Sequence, residues 1–372
     1  MKRLKAPSLI ILCTTIAMAA GLVPPSFAEE PVADSGRFHC DLGKFQKLPA
    51  LLLIGENHCS KSSVKVKAEM AARGAKGEIF AAFEVAGLRA VYPWTSDFLF
   101  TDFKVARTEQ SRLFGIESPF AHGISISYIY ASGGGATCEQ NSPSAAFSRF
   151  VLYLRNNPFL QRSWEEVRAV PPTPDDRSSG ITELSDKIER ARTAPGAEVQ
   201  AIVESFHEDD VKDFQKILAR VNARYVAMAN ETYLPDLGIT KKLRPYPDVI
   251  WRDSMENILI PVRNRDMFDN IADIYCRAAE EGKNLAISMG SAHLPGVEGY
   301  LRQWSQDRIP LRTDLSYDDE KPYADPDVSS PIIKTLETLA APSPNAVKTA
   351  PGLSKMLPSL ESFDFSAAEA KR

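Results

Sequence analysis

Two histidines in this chain close the same short pattern. Gly55-Glu56-Asn57-His58 and Gly290-Ser291-Ala292-His293 each put a His three residues after a Gly, and each follows an aliphatic run. The whole sequence holds only five histidines, so two in one pattern single the pair out. An imidazole exchanges its proton near neutral pH and suits general base work, above all beside a carboxylate that fixes its tautomer. Glu56 lies two residues before His58, on the same face of an extended segment. Glu84 and Glu117 end two further apolar runs. Two histidines and one or two carboxylates brought together would equally form a divalent metal site, with His58, Glu84 and His293 as ligands and a bound water made acidic. Arg263 and Arg265, in Arg263-Asn264-Arg265-Asp266-Met267, could stabilise an oxyanion or bind a substrate carboxylate. The expected catalytic set is therefore Glu56, His58, Glu84, Arg263 and His293, with Glu117, Asn264 and Arg265 around it. Each of these types also has an ordinary structural use: a strand-end His as a hydrogen-bonding residue, a carboxylate as a helix cap, an Arg as an ion-pair partner.

These residues need elements that bring them together. Ala50–Ile54, Glu78–Val85, Ser111–Ile116 and Asn284–Met289 are short apolar runs of the kind that form buried parallel strands. Helical stretches at Ser60–Arg73 and Val249–Glu281 lie between strands, the second with its expected break at Pro261, and a last amphipathic helix follows at Val297–Gln306. Strand and helix alternating in this way predict an α/β fold with a mostly parallel central sheet flanked by helices. The C-terminal ends of parallel strands share one edge, where such sheets bind ligands, so Glu56, His58, Glu84, Glu117 and His293 are expected there. Residues 143–236 lose strand character. Ala145–Asn156, Ile181–Arg192 and Glu198–Met228 have helical spacing, which predicts a helical insertion. Beyond about residue 316 the chain turns rich in Pro, Ser, Ala and acids, and little independent structure is expected except one helix near Pro331–Ala340.

Lys2, Arg3 and Lys5, then an apolar Leu9–Leu22, then Ser26-Phe27-Ala28 read as a signal peptide cleaved after Ala28. Its removal takes the formal net charge from −4 to −7. An acidic exported chain has no electrostatic case for nucleic acid. The mature form is expected to lack a transmembrane segment and to reside in the periplasm or outside the cell. Cys40, Cys59, Cys138 and Cys276 would remain, and an oxidising compartment permits them to pair in three ways. Gly133-Gly134-Gly135 lacks the Lys-Ser/Thr of a phosphate loop.

Together the motifs resemble a superfamily that joins TraB/Tiki-type proteins, ChaN-like haem-binding proteins and erythromycin-esterase-like proteins. Gly55-Glu56-Asn57-His58 is similar to the Gly-Glu-x-His opening of the esterase-like and ChaN-like branches, and Phe83-Glu84 to an acidic second-strand motif. Arg263–Met267 followed by Gly290–Gly296 resembles the C-terminal TraB/Tiki signature in order and spacing. The chain departs from that signature at Val262, where an acid is usual, and at Met267, where an aromatic is common; Glu56 is unlike most Tiki members. The resemblance implies a site built from Glu56, His58, Glu84, Arg263 and His293. It implies one of three activities: divalent-metal proteolysis, hydrolysis by His and Glu without metal, or haem binding. The expected function is hydrolysis of an amide or ester bond in a small-molecule or peptide substrate. A haem- or iron-binding protein without turnover, with His58 or His293 as axial ligand, and a non-catalytic binding module are the alternatives.

Overall fold

The computed structural model describes residues 40–57, 60–86, 103–133, 143–248, 259–318 and 327–341. The expected signal peptide, His58, Cys59 and Cys138 lie outside the described residues. Five strands, β1 (Leu51–Glu56), β2 (Phe80–Ala86), β3 (Leu113–Glu117), β4 (Leu285–Gly290) and β5 (Leu311–Leu315), form one sheet in the order β3-β2-β4-β1-β5. All neighbours run parallel. The α/β reading and the first four strands are as the sequence predicts. β1 is buried along its whole length, which is why its sequence is a continuous aliphatic run rather than an alternation. β5, an edge strand reading Leu-Arg-Thr-Asp-Leu, is half-exposed and polar, so it carries no such run and was not expected.

The sheet is covered on both faces. Helix α1 (Lys61–Ala75) joins β1 to β2; its Val66, Met70 and Ala71 pack on Leu52, Ile54, Ala81 and Phe83. Ser60 caps α1, accepting from the Ser63 N–H. The opposite face, Leu51, Leu53, Phe80, Ala82, Ile287 and Met289, packs against Ile271 and Tyr275 of a long helix and Val297 and Leu301 of a later one. Between β3 and β4 the chain leaves the sheet through α2 (Pro119–Ala131), α3 (Pro143–Asn156), α4 (Pro158–Ala169), α5 (Pro174–Ser178), α6 (Ile181–Thr193), α7 (Gly196–Glu204) and α8 (Val211–Met228). It returns by the long helix α9 (Ile260–Glu280), whose first turn contains Pro261. α10 (Leu294–Ser305) leads from β4 to β5.

The helical insertion is present and has its own core of Tyr128, Phe147, Phe150, Trp164 and Tyr225. It begins at Pro119 rather than 143. α2 is buried on nearly all sides, so its sequence, Ile124-Ser-Ile-Ser-Tyr-Ile-Tyr, alternates without a helical stripe and gives no periodic signal. The expected Glu198–Met228 helix is two helices. The break is at Ser205–Asp210, where the Asp210 carboxylate accepts from the His207 N–H and Phe206 is buried.

The packed domain also runs past residue 315. α11 (Ser329–Ala340) is the helix anticipated in the tail, and Ile332 and Leu336 are buried against the α1 face of the sheet. Cys40 and Cys276 form a disulfide that ties the segment before β1 to α9. No helix among the described residues is long and apolar enough to cross a membrane. Because Leu336 is fully buried, Leu336→Ala should destabilise the whole domain by about 2–4 kcal/mol, read as one shifted transition in urea denaturation. A separate early transition for residues 329–340 would show instead that α11 is not part of the cooperative unit.

Candidate functional site

Four strand ends meet the expected edge: Glu117 of β3, Glu84 of β2, Gly290 of β4 and Glu56 of β1, in the order of the sheet. Two of them, Glu117 and Glu84, are joined by α9. Arg263 donates from Nε to Glu117 Oε1 and from Nη2 to Glu84 Oε1, both at 2.5 Å. Glu117 is fully buried, and Glu84 and Arg263 nearly so. The second oxygen of Glu84 accepts from the Gly290 backbone N–H. The second oxygen of Glu117 contacts His122 Nδ1 at 2.9 Å. Burial pushes against the charge of Glu117, but Arg263 and the hydrogen bond from His122 outweigh it and hold the carboxyl below its ordinary range. Burial also opposes the charge of Arg263, and the two carboxylates more than restore it.

His293 follows β4 in a single 3-10 turn and is buried. Its Nδ1 lies 2.6 Å from Asn264 Oδ1, so the amide carbonyl accepts and Nδ1 carries the proton. Nε2 is 3.6 Å from Glu84 Oε1, close enough for charge interaction but too long for a hydrogen bond. Gly296 is required by this arrangement: a Cβ there would lie 2.1 Å from Asn264 Nδ2.

α9 holds this edge by one face. Arg263, Asp266 and Asn270 follow at helical spacing and reach β3 and its exit: Asp266 accepts from the Ser118 N–H at 2.7 Å, and Asn270 donates to the Ile116 carbonyl at 2.9 Å. Asp266 also accepts from the Tyr233 hydroxyl at 2.9 Å. Burial nevertheless pushes its carboxyl up to about 6.

The structure therefore brings Glu84, Glu117, Arg263, Asn264 and His293 together. Glu56 is turned to the other face of the sheet, where it accepts from Ser288 Oγ at 3.0 Å and pairs with Lys67 of α1 at 2.9 Å. Arg265 points toward α10. It pairs with Asp269 at 3.5 Å and lies over the Phe268 and Tyr300 rings. Arg263 and Arg265 are two apart on a helix and so face apart, which spacing alone makes plain. Arg263 spends its guanidinium on two carboxylates rather than on a substrate oxyanion. His58 lies outside the described residues. Sequence reasoning passed over His122, Asp266 and Tyr233. One of the three had a readable signal: Asp266 lies one helical turn after Arg263.

Among the described residues, no group of three or more His, Cys, Asp or Glu is arranged to hold a metal ion. Both Glu84 oxygens already have partners, and a cation bound there would sit beside the Arg263 guanidinium. Haem iron on His293 Nε2 would have to displace Glu84. The described carboxylates of this cluster are thus already engaged by Arg263, His122 and the Gly290 N–H. Compared with family models, curated proteins and solved structures, the chain matches none.

Two outcomes follow. Arg263→Met strands two buried carboxylates and should cost about 3–5 kcal/mol, measured by urea denaturation at neutral pH. Asp266 has an ordinary value of 3.8 and is raised to about 6, so the folded chain keeps a proton that the unfolded chain has lost between those values. Its contribution to stability therefore falls as pH rises through that window. Asp266→Asn removes this penalty, and the variant should gain about 3 kcal/mol relative to wild type between pH 4 and 7. A stability difference that stays flat with pH would rule this out.

Proposed function

We propose that this chain is an exported hydrolase of an amide or ester bond in a small-molecule or peptide substrate, acting at the C-terminal edge of its sheet. The reading rests on one observation: Glu84, Glu117, Arg263 and His293 come from three strand ends and one helix into a single buried, ion-paired cluster. A buried ionisable cluster at the C-terminal edge of a parallel sheet is a candidate reaction site on physical grounds.

In this scheme Asn264 fixes the Nδ1–H of His293, and Nε2, beside Glu84, takes a proton from water. The water oxygen bonds to the carbonyl carbon, and the bond to the alcohol or amine breaks. The departing oxygen or nitrogen gains a proton, giving an acid and an alcohol or amine, and the proton held by His293 returns to solvent. Glu84, beside Nε2, stabilises the imidazolium in between. Arg263 keeps Glu84 and Glu117 charged and in place. His58, from the matching Gly-x-x-His, is the second imidazole of the proposal. A divalent metal would supply hydroxide in its place if bound, and the fit at Glu84 argues against it.

A second reading, a non-catalytic binding module, draws on the fact that each oxygen of Glu84 and Glu117 already has a partner within the protein. A panel of p-nitrophenyl esters and fluorogenic peptides separates the two, run with chelator, with metal add-back and alongside a visible-range spectrum. Turnover by wild type, cut at least about 100-fold by His293→Ala, is the expected result. No turnover on any probe would sink the hydrolase reading, and a stoichiometric Soret band would favour haem binding.

A further inference from the structure

His122 stands in the first turn of α2, on the far side of Arg263 from His293. Its Nδ1 is 2.9 Å from Glu117 Oε2, and Glu117 has no exposed surface. With Glu117 ionised, that contact fixes Nδ1 as the donor, so Nε2 carries the lone pair in the neutral ring and a second N–H in the charged ring. The His122 ring also lies against Tyr153 of α3, with centroids 5.4 Å apart. Within the cluster His122 is the outermost member: its side chain is 15% exposed, against 9% for Arg263, 6% for Glu84, 4% for His293 and none for Glu117.

We propose that His122, presented by Glu117, is a second proton-transfer residue of this site, giving a proton to the leaving group of the substrate while His293 serves water. The inference rests on the hydrolase reading and deepens it. A carboxylate on Nδ1 with the other ring nitrogen left for substrate is the arrangement that orients an imidazole and stabilises the imidazolium form. The ionisable groups around it are Glu117 on β3 and Tyr153 on α3, with Arg263 and Asp266 of α9 and Glu84 of β2 behind them. In the step, the His122 Nε2–H bond breaks as the departing alkoxide oxygen or amine nitrogen gains that proton. The proton His293 took from water later restores His122 through solvent, so no oxidant or reductant is needed.

Two measurements on the full chain test this. Nitrogen-15 spectra of the imidazoles should show the neutral His122 ring protonated at Nδ1 and bare at Nε2. Its signal is assigned as the one lost in His122→Gln. With the p-nitrophenyl ester and peptide panel as probe, His122→Gln should lower kcat/KM about 10²–10⁴-fold at an unchanged melting temperature. Glu117→Gln should act in the same direction, and the double variant should be little worse than His122→Gln alone, as expected of groups that act as a unit. The opposite tautomer, or a His122→Gln protein as active as an active wild type, would overturn the role of His122 and leave the hydrolase reading standing. An inactive wild type would overturn both.

Discussion

The arrangement of this edge depends on one guanidinium. Glu84 and Glu117 end adjacent strands, and two buried carboxylates at neighbouring positions repel each other and lose their hydration. Arg263, reaching them from α9 through two different nitrogens, makes the pair tolerable. Its planar fork can serve both acids at once, which a lysine ammonium could not do with the same geometry. The rest follows from that anchor: α9 must lie with its first turns against β2 and β3, and Asn264, next along the helix, must then face His293.

The same anchor couples the insertion to the sheet. Asp266 holds the start of α2 through the Ser118 N–H and reaches the stretch after α8 through Tyr233. Glu117 takes His122 from the first turn of α2. These three polar contacts therefore fix where the helical layer meets the strand ends. The surroundings differ in character. The insertion core is richer in aromatic side chains than the two sheet cores. The charged cluster lies between two apolar bodies, which is why its members are paired rather than hydrated.

Much of this was legible in the sequence, for reasons that differ by residue. The four buried strands could be read because burial on both faces leaves uninterrupted apolar runs, and Glu84, Glu117 and His293 could be placed because each ends such a run. β5 was illegible because an edge strand exposed to water needs no apolar pattern. α2 was illegible because a helix buried all round has no stripe. Glu56 was grouped with the site by position along its strand. Which face it occupies is set by the alternation Leu52, Ile54, Glu56, which points to α1 and Lys67. His122 was missed because its partner lies five residues back across a helix start, a geometry that exists only after α2 has formed.

The strand order has a consequence for how the molecule is made. β1 and β2 are separated in the sheet by β4, which is paired with β1 from Leu51 against Leu285 to Glu56 against Gly290. The centre of the sheet therefore cannot zip until nearly the whole domain has left the ribosome. A nascent chain holding β1, β2 and β3 has a gap where its middle strand belongs, with aliphatic edges bare on both sides of it. Long-range parallel pairing of this kind is slow and prone to aggregation. The helical insertion, whose contacts are more local, has every opportunity to collapse first and wait for its scaffold. The aliphatic edges of β1 and β2 thus stay unpaired until β4 is made.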